Sequence, residues 1–132
     1  MIKSTWADKR SQALKRTYRE DGRYVSHKQV EDPFYVVVHL DLLNHHYWRE
    51  YFPETVARTL REVAEIKRKF PYLDYDIWPP VNIHPRTPLD MTILVCGCYD
   101  LDCVERQRGA LITSGRNAYI SDEGTPALFR VD

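Results

Sequence analysis

Three cysteines fall within eight positions, in Cys96-Gly97-Cys98-Tyr99-Asp100-Leu101-Asp102-Cys103, and their type and spacing raise the question of metal or thiol chemistry first. A zinc site takes four ligands, normally from paired knuckles with two to four residues between the cysteines. Here one residue separates Cys96 from Cys98 and four separate Cys98 from Cys103. A fourth ligand would have to come from a distant His39, His45, His46 or His84. The expectation is therefore no metal, with Cys96, Cys98 and Cys103 as the candidate ligands should there be one. In a strand, Cys96 and Cys98 point to the same side, which suits two small apolar side chains in a core. Redox sensing is the remaining alternative for the cluster.

His39 and Asp41 form the second constellation. Two positions apart in an extended segment, they share a face, and a carboxylate can orient an imidazole for general-base work. Were the strands of His39 and Cys98 neighbours, a Cys98, His39 and Asp41 arrangement would follow. The competing expectation is that this face is solvated or covered by a loop. Adjacent His45 and His46 diverge and do not share a metal. With Tyr47 and Trp48 they suggest a partner-binding patch, and Trp78 in the proline-rich segment suggests another. Gly22, Gly97, Gly109, Gly115 and Gly124 are scattered and match no phosphate-loop pattern, so no cofactor is expected. Asp74/Asp76 and Asp100/Asp102 read as turn and capping residues.

Net charge is zero, which excludes a global field drawing the chain to nucleic acid or to an anionic membrane. The distribution is uneven. Residues 1–29 hold eight Lys/Arg against three Asp/Glu, whereas 71–132 hold five against nine. Lys9, Arg10, Lys15, Arg16, Arg19, Arg23 and Lys28, interleaved with Trp6, Tyr18 and Tyr24, are the candidate nucleic-acid footprint. The alternative is that this segment docks on its own body.

The elements that must position these residues are read from pattern. The chain of 132 residues is 43% hydrophobic and 29% charged, and is expected to form one domain, with 1–30 a semi-independent basic segment. Residues 53–70 predict the main amphipathic helix: Pro53 opens it, Val56, Leu60, Val63 and Phe70 form the stripe, and Pro71 stops it. A second helix is expected over 4–20. Alternation from Phe34 to Leu42 predicts a central strand, and 90–98 a second buried one. Short strands are expected over 23–30 and near 109–113, 117–121 and 126–131, with a helical turn within 100–108. The predicted fold is α+β, with helices on an antiparallel or mixed sheet of four to six strands.

The start of the chain becomes charged before any apolar run develops, and no stretch reaches the ~20 apolar residues of a membrane-spanning helix. An odd, clustered set of cysteines suits a reducing, cytoplasmic compartment. The leading functional expectation is a small non-enzymatic interaction protein that binds another protein: an inhibitor, adaptor or assembly component of the kind viruses and phages encode. The alternatives are a Cys/His-dependent enzyme or metalloprotein, and nucleic-acid binding through the amino-terminal segment.

Overall fold

Helix α1 (Trp6–Glu20) opens with a capping box, Thr5 and Asp8 exchanging hydrogen bonds between side chain and backbone. The Asp8 carboxylate does more than cap its own helix. Fully buried, it accepts from the Thr55 hydroxyl at 2.7 Å, and from the backbone N–H groups of Thr55 at 2.9 Å and Glu54 at 3.3 Å. One side chain thus serves the exposed donors at the starts of α1 and α3 (Pro53–Lys69) and pins the two helices together. Helix α3 is the element expected over 53–70, with Pro53 in its first turn and Lys67, Arg68 and Lys69 in its last.

The computed structural model describes residues 5–75 and 90–131. Among these, five strands form one sheet: β1 (Tyr24–Val25), β2 (Phe34–Val38), β3 (Tyr72–Tyr75), β4 (Thr92–Gly97) and β5 (Asn117–Ser121). Their spatial order is β1-β5-β4-β2-β3. Every pairing is parallel, which corrects the antiparallel or mixed sheet expected from the sequence. The reason is burial on both faces. Helix α3 crosses from β2 to β3 and packs Val63 and Ile66 on Tyr35, Val37, Leu94 and Cys96. Helix α4 (Cys103–Thr113) crosses from β4 to β5 and packs Val104 and Leu111 on the opposite face, against Val36, Val38, Ile93 and Val95. A strand covered on both sides has no polar face to display, so the run Tyr35-Val36-Val37-Val38 marks a parallel strand more than an alternating one.

The same covering accounts for the other differences. Residues 109–113 belong to α4 rather than to a strand, and the turn expected within 100–108 is the start of that helix. The amino-terminal strand shrinks to Tyr24–Val25 and continues as a 3₁₀ turn, His27–Gln29. Residues 126–131 carry no regular structure. Helix α2 (His46–Tyr51) joins a 3₁₀ segment, Leu40–Asn44, to α3. Together these form a cap in which Leu43, Phe52, Val56 and Cys98 are buried, with Trp48, Leu128 and Phe129 packed around them. No helix among the described residues is long and apolar enough to cross a membrane.

Asp8→Ala would leave three buried or half-buried donors of α3 without their acceptor. The expected loss is about 1–3 kcal/mol in urea unfolding, as for a lost helix cap together with an unpaired hydroxyl. A variant as stable as the parent would show that the clamp contributes nothing.

Candidate active site

In the order β3-β2-β4-β5, the chain leaves β2 toward one side of the sheet and β4 toward the other. Sheets wound this way bind ligands outside the carboxyl ends of the two strands where the direction reverses. That point lies between β2 and β4, and most of the chemistry-bearing residues of the chain meet there. Val38 pairs with Gly97 in register, and the Cys98 N–H donates to the Val38 carbonyl at 2.8 Å. His39 follows β2 in the left-handed region, φ 47°, and turns the chain into the 3₁₀ segment that carries Asp41. His39 and Asp41 therefore do not alternate along one strand face as the period-two reading required. Gly97 has φ +105°, and a Cβ built on it would stand 2.0 Å from the Val38 carbonyl oxygen, so only glycine fits. The Cys98–Tyr99 peptide bond is cis.

The three cysteines are free and are sent to three different places. Cys96 lies in the interior under α3, where burial pushes its thiol up to about 12. Cys98 is buried in the cap with Leu43, Phe52 and Val56. Burial, and then the carboxylate of Asp100, push its thiol well above the ordinary range, and Asp41 and Cys103 add to this. Asp100, Cys96, Asp41 and Cys103 thus each act on the Cys98 thiol. Among the described residues no three His, Cys, Asp or Glu side chains are grouped to hold a metal.

Cys103 differs from the other two. It is the first residue of α4 and is only partly buried. Burial raises its thiol above the ordinary value and Asp102 adds to the rise. Acting the other way are the backbone N–H groups of Tyr99 and of Cys103 itself and the charge of Arg106, which together fall short of the rise. Asp102, the residue before the helix, makes no side-chain cap and pairs instead with Arg106 at 3.1 Å. The start of α4 therefore offsets part of the cost of a thiolate at Cys103, although burial still holds the thiol above its ordinary value. Nothing in the sequence distinguished Cys103 from Cys98. The signal available was Asp102 preceding a helix, and Gly109 within that helix obscured it.

Behind the crest, the Tyr24 hydroxyl donates to the buried Asp100 carboxylate at 3.1 Å. Burial lifts the Asp100 pKa, while the Tyr24 hydroxyl and the N–H groups of Asp100 and Leu101 oppose the rise. On the α3 side, His39, Leu40, Asp41 and Asn44 line an open groove of about 680 Å³, whose wall also carries Lys67 and Asp74, ion-paired at 2.9 Å.

The remaining sequence candidates are placed elsewhere. Tyr47 exchanges hydrogen bonds with the Val131 backbone, and the Trp48 indole donates to the Tyr99 hydroxyl at 3.0 Å. The α1 cations turn largely onto their own chain: Arg10 over Phe129, Arg19 onto the Asp122 carboxylate, and Arg23, just past the helix, over Tyr18. Lys9 and Arg16 are exposed. Trp78 and His84 lie outside the described residues.

Because burial raises the folded pKa of Asp100, its ionisation opposes folding. That part of the stability is present below the ordinary carboxylate range near 3.9 and is lost as pH rises through the folded value. Tyr24→Phe removes the neutralising donor, so its cost should be about 1–3 kcal/mol near pH 7 and should shrink as Asp100 becomes protonated. Urea unfolding across this range checks it, and a loss independent of pH would contradict it. Set against known protein families, curated proteins and solved structures, the chain matches none of them.

Proposed function

We propose that the chain is a thiol-dependent enzyme that transfers an acyl group through Cys103. The observation that carries the reading is the place of Cys103, the first residue of α4 and the one cysteine of the three that is not buried. In the step envisaged, the thiol proton passes through solvent to the leaving group as the sulfur adds to a carbonyl carbon. The leaving group departs with that proton, and a thioester remains on Cys103. Water then attacks the thioester, giving one proton back to the sulfur and releasing the acid. The N-terminal donors of α4, uncapped by any side chain, suit the negative charge that develops on the carbonyl oxygen. The Cys98 and His39 expected from the sequence take different parts in this reading. Cys98 packs the floor of the crest, and His39 makes the turn that carries Asp41.

A second reading, as a protein-interaction module, draws on Trp6 and Tyr51. Both are exposed, at adjoining helix ends joined by the Thr5 hydroxyl, which donates to the Tyr51 carbonyl at 2.8 Å. Exposed aromatics of this kind are common interface anchors.

Iodoacetamide labelling of the native chain, mapped by mass spectrometry, separates the two readings. Cys103 should react at least about tenfold faster than Cys96 or Cys98, with a rate still rising with pH beyond the ordinary thiol value near 8.5, because burial raises its pKa. Preferential labelling of Cys98 or Cys96 would remove the enzyme reading.

A further inference from the structure

Between α1 and the first turns of α3 lies a cavity of about 130 Å³, away from the β2–β4 crest. A water molecule occupies roughly 30 Å³ of liquid, so the space suits one tetrahedral anion or a few waters. Its walls carry Lys15, Arg16 and Arg58, with the polar side chains of Ser11, Gln12 and Thr59. Ser11 is wholly buried, and its hydroxyl has no hydrogen-bond partner among the described residues. A buried hydroxyl left unpaired costs about 1–3 kcal/mol, so an oriented partner in the cavity would relieve a standing penalty.

The charges lean the same way. Lys15 is held at the cavity wall by the Asp122 carbonyl at 2.6 Å, with the Asp122 carboxylate at 3.7 Å. Asp122 is shared with Arg19, which reaches it at 2.8 Å. Arg58 pairs with Glu54 at 2.9 Å along its own helix, and Arg16 has no ion pair among the described residues. Glu123 is the acid on the wall, and its carboxylate is occupied by the Ser26 hydroxyl, the His27 N–H and the His27 ring. Burial depresses the Lys15 pKa, and the nearby charges of Arg19 and Arg58 depress it further against Asp122 and Glu123. The cavity thus gathers cations faster than its own acids neutralise them.

We propose that this cavity binds a phosphate-type oxyanion, either free phosphate or the phosphoryl end of a small ester, with Arg16 and Arg58 as charged ligands and the Ser11 hydroxyl as a neutral donor. The inference does not depend on Cys103, because no residue is shared between the cavity walls and the thiol. An anion here would also draw α1 and α3 together on the side of the interface that the Asp8 clamp leaves open.

The test is thermal unfolding of the full chain with inorganic phosphate, with chloride at matched ionic strength, and with glycerol phosphate. Phosphate should raise Tm progressively with concentration beyond the chloride control, as for any ligand of the folded state. Arg16→Ala with Arg58→Ala should weaken the apparent affinity by at least about tenfold, and Ser11→Ala should weaken it without changing the charge. A larger shift with the ester assigns the cavity to a phosphoryl group on a bigger molecule, and an equal or smaller one assigns it to the free anion. No shift beyond chloride would overturn the proposal, and so would a shift that survives in both the arginine pair variant and Ser11→Ala.

Discussion

Val38 and Gly97 face each other at the carboxyl ends of β2 and β4, so close that any side chain on Gly97 would run into the Val38 carbonyl oxygen. This contact fixes the register of the two central strands, and with it the arrangement of the crest. It brings the turn after β2, with His39 and Asp41, against the turn after β4, with Cys98 and Tyr99. The Cys98 N–H then continues the pairing by one bond past the strand, to the Val38 carbonyl. Beyond that bond the two chains part, one toward α3 and the other toward α4. A parallel sheet buried on both faces leaves its backbone almost nowhere to meet solvent except at such an end.

Burial sorts the thiols. Cys96 and Cys98 are raised by desolvation, with neighbouring carboxylates adding to the effect, and at Cys96 the charge of Lys67 opposes part of the rise. Cys103 is also raised, but it sits where a helix begins, and two backbone N–H groups pull its pKa back. The chemical difference among three identical side chains therefore comes first from depth of burial, with the start of α4 adding to it at Cys103. The cap over the crest contributes through packing. Leu43, Phe52 and Val56 enclose Cys98, and Trp48 bonds the Tyr99 hydroxyl, so the turn carrying the Tyr99 N–H is held from both sides.

Much of this was legible in the residues, and the remainder was not for identifiable reasons. Helix α3 declared itself by Pro53, by its apolar stripe and by its basic final turn, because local chemistry and tertiary packing agree there. The direction of the sheet did not. Phe34 to Leu42 can be read as alternating, and only the covering of the second face by α3 makes Tyr35 and Val37 core residues. Helix α4 was hidden because Gly109 interrupts it and because its inward face is sparse, with Val104, Gln107 and Leu111 buried. His39, Asp41 and Cys98 were singled out by type, and the strand register brings their turns together. The role given to Cys103 depends on donors that belong to the peptide chain, and no side-chain pattern encodes them.

The central claim is that Cys103 is the nucleophile of the β2–β4 crest, and brief exposure of the native chain to p-nitrophenyl acetate tests it most directly. Intact-mass and peptide mass spectrometry should find one acetyl group per chain, on Cys103, and none in Cys103→Ser. Acetylation that is absent, that falls on Cys98 instead, or that persists in Cys103→Ser would contradict the account.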